Sequence, residues 1–174
     1  AENQFLYIHY NMPQLEGINM RDLKLKLGDS DTWLMEYIGS GEDYLPGDAL
    51  RMMPYLSYVV LPEKLKGIGG NAFLTCNLRR MPVLPEGLLC IGGSSFSDNI
   101  LAGDIQIPST VRYIGDNAFL NTSLSGEVVL PAKMDYLGGG AFGGCKFLTG
   151  KIHIPQGLTE VYGAFAPNMT GDVR

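Results

Sequence analysis

Histidine and tryptophan are scarce in this chain of 174 residues, which holds only His9, His153 and Trp33, and cysteine occurs three times, at Cys76, Cys90 and Cys145. No two cysteines lie close together, so the ligand supply argues against a zinc site. Basic residues are also few. Thirteen Lys and Arg against 18 Asp and Glu leave a net charge of −5, and no basic run is present to follow a phosphate backbone, which argues against nucleic acid as a partner. No apolar stretch approaches the ~18 residues that cross a bilayer, and no charged-then-apolar leader opens the chain. An exported form is therefore expected to have lost its leader before Ala1. The size is that of one domain, and 45% apolar residues can fill its core.

What the chain has in abundance is repetition. Phe73, Phe96, Phe119, Phe142 and Phe165 fall 23 residues apart, and Pro62, Pro85, Pro108 and Pro131 keep the same step before Pro155 slips by one. The stretch Ile107 to Leu130 is the clearest copy. A period in the low twenties with apolar residues at fixed offsets is the signature of a leucine-rich-repeat solenoid. Two segments recur in each unit. The first is Val59–Pro62, Pro82–Pro85, Ile105–Pro108, Val128–Pro131 and Ile152–Pro155; the second runs from Ile68, Ile91, Ile114 or Leu137 to the repeat phenylalanine, with a version one residue shorter at Val161–Phe165.

Ile105 and Ile107 are expected to point inward and Gln106 outward, as in a strand. A proline then ends each strand, and the glycine after Ile68, Ile91, Ile114 or Leu137 is expected to allow a sharp bend. A coil this wide cannot be filled by aliphatic side chains alone, so the phenylalanines are expected to pile into one column. Cys76 and Cys145 each follow a repeat phenylalanine by three residues and stand three periods apart. At ~4.8 Å per coil that is roughly 14 Å, beyond the ~7 Å between Cα atoms that a disulfide tolerates. Asn99, Thr122 and Asn168 take the same position in other coils, which predicts a ladder of small side chains hydrogen-bonding the turn backbone. The absence of bridges leaves the redox compartment open, because a long solenoid core does not need them.

The ends are less regular. Phe5, Ile8 and Met12 have helical spacing before Pro13, which predicts a short amphipathic helix. The Met12–Met20 phrase returns at Met53–Leu61 after a step of 41, so the first coil carries extra material from Arg21 to Asp43. An end coil must be covered, so residues 1–44 are read as a cap and lead-in coil, and 45–174 as about five coils plus a partial last one. Trp33 is read as cap packing, with a ligand platform as the alternative. Met169–Arg174 begins another coil; either the chain continues or this strand closes it.

The phrases Ile-Gly-x-x-Ala-Phe-x-x-Cys and Leu-Thr-Gly-x-Ile-x-Ile-Pro, in register from Leu45 to Arg174, resemble the BspA-type leucine-rich repeats of bacterial cell-surface and secreted proteins. The resemblance implies a right-handed solenoid, β-rich with short turns and helical pieces. It further implies an exported, extracellular or cell-surface protein that adheres to a protein, matrix or glycan partner, with no catalytic motif and no cofactor to carry over. Departures are Tyr162 in place of a glycine, polar residues replacing cysteines, and Pro82 inside a strand, where a bulge or lost ladder bond is expected.

Other apparent motifs dissolve into the repeat. Gly67–Ala72 mimics a dinucleotide fingerprint, but its glycine and alanine recur by period and no long helix follows. Gly92–Phe96 lacks the spacing of a nucleophile elbow, and His153 occupies an outward strand position. No acid–base pair, nucleophile or metal set is present, so the chain is read as non-enzymatic; an activity carried by Arg21–Asp43 is the remaining enzymatic alternative. The candidate binding surface is the set of outward positions that vary between coils: Tyr58, Val60, Met81, Val83, Asp104, Gln106, Glu127, Val129, Lys151 and His153. A second strip carries Arg112, Tyr113, Asp135 and Tyr136. Tyrosine with arginine commonly anchors interfaces, which makes this strip the first choice. The same tyrosines can instead serve only cross-strand packing, and the whole array can instead be a spacer presenting another domain.

Overall fold

The computed structural model describes residues 22–27, 33–158, 160–161, 163–165 and 170–172. The strands in chain order are β1 (Leu23–Leu27), β2 (Trp33–Ile38), β3 (Tyr44–Leu45), β4 (Leu56–Val60), β5 (Gly67–Ile68), β6 (Cys90–Ile91) and β7 (Ala102–Gly103). They continue as β8 (Tyr113–Ile114), β9 (Ser123–Glu127), β10 (Tyr136–Leu137), β11 (Phe147–Thr149), β12 (Lys151–His153) and β13 (Thr170–Asp172). Apart from the antiparallel β1–β2 pair, every strand pairing is parallel. The chain forms a parallel β-solenoid of about five turns.

The 23-residue period becomes a vertical register. In the five-stranded sheet, ordered β10-β8-β6-β5-β3, Leu45, Ile68, Ile91, Ile114 and Leu137 are direct partners, and each is buried. Five residues further along each coil the phenylalanines stack. Phe73–Phe96, Phe96–Phe119 and Phe119–Phe142 have ring centroids 5.2, 5.4 and 5.3 Å apart. Leu50 takes the position in the first coil and is buried, while Phe165 packs against the core from its edge. The column is one strand spacing per ring because successive coils lie directly over one another.

The helical pieces expected in the turns do not form: no α-helix stands among the described residues. Left-handed residues bracket the Ala-Phe pairs at Phe73, Phe119 and Phe142, as at Asn117 (φ 57°) and Asn121 (φ 56°), and helical hydrogen bonding cannot run through them. The turn backbone bonds to the next coil instead, Phe96 N–H to Ala118 C=O at 2.9 Å and Phe119 N–H to Ala141 C=O at 2.8 Å. The helix expected around Phe5, Ile8 and Met12 lies outside the described residues, as do the side chains of Trp33 and Tyr162 and the ladder position Asn168. At the N-terminal side, β2 pairs with β4 and carries β1 on its outer edge, with Met35 and Tyr37 buried beneath.

The landmark glycines have a different cause from the expected bend. None of Gly69, Gly92, Gly115 and Gly138 has a positive φ. A Cβ at Gly115 would instead lie 2.4 Å from Gly93 N and 2.7 Å from Gly93 Cα. Glycine is needed there because neighbouring coils pass too close for any side chain.

The small-residue ladder forms as expected. Cys76 Sγ is 2.9 Å from Leu50 O, Asn99 Nδ2 donates to Phe73 O at 2.7 Å, and Cys145 Sγ is 3.0 Å from Phe119 O. Thr122 Oγ1 donates to Phe119 O at 3.1 Å and touches Cys145 Sγ at 3.2 Å. All three cysteines are free. Burial pushes the Cys76 thiol up to about 12 and raises that of Cys145.

Pro82 stands outside any strand, as do the equivalent Ile105 and Val128, so the proline alone does not account for it. Its segment, between β5 and β6, carries no named strand, only an isolated bridge between Arg80 and Ala102. The ring is buried at the inward position that Val59, Ile105, Val128 and Ile152 fill in other coils, so its shape serves the core.

Candidate functional site

The five-stranded sheet has one inward and one outward residue per strand. Its outward column reads Tyr44, Gly67, Cys90, Tyr113 and Tyr136, and the two last tyrosines come together at a ring separation of 4.8 Å and an interplanar angle of 14°. Both keep substantial exposure, 40% and 39%. Just before each of these two strands, Arg112 Nη2 donates to Asp135 Oδ1 at 2.7 Å. The four residues Arg112, Tyr113, Asp135 and Tyr136 thus form one patch.

Asp116 completes it. Sequence reasoning missed it, although its position is glycine in other coils, Gly47, Gly70, Gly93 and Gly139, and that departure from the repeat is the signal that could have found it. Asp116 Oδ1 accepts from the Tyr136 hydroxyl at 2.7 Å and from Gly139 N–H at 3.0 Å. The hydroxyl bond to Asp116 raises the phenol of Tyr136 above its ordinary value, since ionisation would set two anions face to face. The patch therefore offers aromatic surface, one guanidinium and two carboxylates in fixed positions. It offers no nucleophile: Cys90, beside Tyr113 in the register, has its thiol pKa raised by burial.

The other outward strip lies around the proline corner from this sheet. Tyr58, Val60, Asp104, Gln106, Glu127, Val129, Lys151 and His153 are exposed as expected, while Met81 is half-buried. Tyr58, Gln106 and Lys151 are therefore not part of the tyrosine patch. The strip is corrugated. A trough of about 500 Å³ lies between the coil of Tyr58 and that of Met81, and a second of about 920 Å³ between the coil of Val129 and that of Lys151. Among the described residues, no group of three or more His, Cys, Asp and Glu side chains could hold a metal ion, and no helix is long and apolar enough to cross a membrane.

A family model described as the BspA type leucine-rich repeat region matches residues 45–168 in six copies. No curated protein matches the chain. Among solved structures, a leucine-rich repeat protein from Bacteroides ovatus is similar in fold, with a TM-score of 0.61 and 16% identity over 87% of this chain and 54% of that one. This chain thus spans about half the length of that protein, and at such identity the likeness concerns the fold alone.

Proposed function

The chain belongs to the BspA-type leucine-rich repeat family, and on that premise we propose that it is a non-enzymatic binding module of an exported, surface-associated bacterial protein. Repeats of this family support a binding or a structural module. The observation that carries the binding reading is the Tyr113–Tyr136 pair beside Arg112. Of the equivalent strands β3 also places a tyrosine, Tyr44, but β5 and β6 place Gly67 and Cys90 where these rings stand, so the solenoid does not require a ring in every coil. Large flat side chains beside a guanidinium bury much area at little entropic cost, which suits a protein or glycan partner.

A structural spacer is the second reading, and one observation favours it. The patch satisfies itself: ring stacks on ring, Arg112 bonds Asp135 and Tyr136 bonds Asp116. The test is to compare the protein with an Arg112→Ala, Tyr113→Ala, Tyr136→Ala triple variant on an array of extracellular-matrix proteins and glycans. The binding reading expects capture by the native protein and its loss in the variant. Identical profiles favour the spacer.

A further inference from the structure

The trough between the second and third coils is distinct from the tyrosine patch, and three observations bear on its use. The first is an unsewn seam. Neighbouring coils are joined by Asn77 N–H to Leu56 C=O at 3.1 Å and by Leu89 N–H to Lys66 C=O at 2.8 Å. Between those stitches β4 has no strand partner on this side, because Pro82 and its neighbours form none, and the trough of about 500 Å³ opens there. An edge of this kind holds ladder groups that an added strand can take.

The second observation is apolar surface that the core does not use. Val59, Leu61 and Leu84 point inward and are buried, whereas Tyr58, Val60 and Val83 point out, Val83 with 87% exposure. Positions equivalent to Tyr58 and Val60 further along carry Asp104 with Gln106, so the repeat does not demand apolar residues here. The third is charge. Glu63 and Glu86 line the trough at equivalent positions of adjacent coils, about one strand spacing of ~4.8 Å apart, and neither enters an ion pair among the described residues. Their counterparts are the uncharged Ser109 and Ala132. Two stacked carboxylates repel, and a cation placed across them relieves that repulsion. Arg80 lines the same trough from the opposite end of its segment.

We infer that this seam is a docking site for an extended peptide segment of a protein partner, with aliphatic side chains over Val60 and Val83 and a lysine or arginine at Glu63 and Glu86. An acidic residue of the same segment meets Arg80. The inference takes from the binding reading only that the molecule has a partner, and it stands independently of the tyrosine patch.

The test uses fluorescence anisotropy with a labelled hexapeptide that begins with aspartate, carries aliphatic residues in the middle and ends in two lysines. Its control is the same peptide with every charge reversed. Saturable binding of the first peptide is expected, with weaker binding of the second and a decline as salt rises. The Glu63→Gln, Glu86→Gln double variant should weaken it by about fivefold or more. Val83→Asp should also weaken it, and Tyr136→Ala should leave it unchanged, which separates this site from the patch. All substituted side chains are at the surface, and circular dichroism confirms that each variant is folded. Equal binding of both peptides, no binding of either, or indifference to the Glu63 and Glu86 changes would overturn the inference.

Discussion

Truncating Phe119 tests the stacked-coil architecture most directly. Its ring is fully buried between Phe96 at 5.4 Å and Phe142 at 5.3 Å, so Phe119→Ala empties a volume shared by three coils. Buried Phe→Ala changes cost about 3–5 kcal/mol, and the two ring contacts, each worth about 0.5–1.5 kcal/mol beyond area, place this one at the upper end. Phe73 is the internal control. It has a ring neighbour on one side, Phe96, and Leu50 at the equivalent position on the other, so Phe73→Ala should cost less by about one ring contact, ~0.5–1.5 kcal/mol. Phe119→Leu supplies the residue type found at Leu50 but loses both ring contacts, so it should cost about 1–3 kcal/mol, less than the alanine variant. At roughly 2–4 °C per kcal/mol for a domain of this size, Phe119→Ala should lower Tm by about 8–20 °C. Thermal and urea unfolding followed by circular dichroism reads all three variants. A loss below about 1.5 kcal/mol for Phe119→Ala, or one no larger than that of Phe73→Ala, would refute the column as a shared spine.

Other positions give sharper local tests. Ser95 occupies the column that is alanine at Ala49, Ala72, Ala118, Ala141 and Ala164, and its hydroxyl is buried with no partner among the described residues, so Ser95→Ala should stabilise by about 1 kcal/mol, read as a raised urea midpoint. Gly115→Ala should destabilise by about 1–3 kcal/mol or more because its Cβ meets the backbone of Gly93, whereas Gly41→Ala, with nothing within 4 Å, should stay within ~0.5 kcal/mol; equal effects would contradict the close-approach account. The Cys76 thiol, raised to about 12 by burial, should resist a thiol reagent at pH 8 until urea unfolds the chain. Because the Tyr136 phenol is raised, its folded-state advantage is complete below the ordinary tyrosine value and fades as pH climbs through the shifted one. Asp116→Asn should bring that titration down, seen in tyrosinate absorbance.

Much of this molecule could be read from spacing. A fixed step of 23 residues converts position along the chain into height along an axis, so the period alone placed Phe73, Phe96, Phe119 and Phe142 in one column and kept Cys76 from Cys145. It also set Tyr113 over Tyr136 and Arg112 near Asp135, because residues one period apart must be neighbours when coils stack.

Tertiary structure decided what depends on distances across coils. That Gly69, Gly92, Gly115 and Gly138 answer to contact and not to a turn required the backbone path of the neighbouring coil, which no single repeat contains. The left-handed residues around the Ala-Phe pairs at Phe73, Phe119 and Phe142 likewise turned an expected helical piece into a run of turns bonded to the next coil. The partnership of Asp116 with Tyr136, and the trough beside Glu63 and Glu86, arise from how far side chains reach and where backbones part. Periodicity determines which residues stand above one another; only the packed chain determines whether they touch, and touching is what hydrogen bonds, steric exclusion and binding surfaces require.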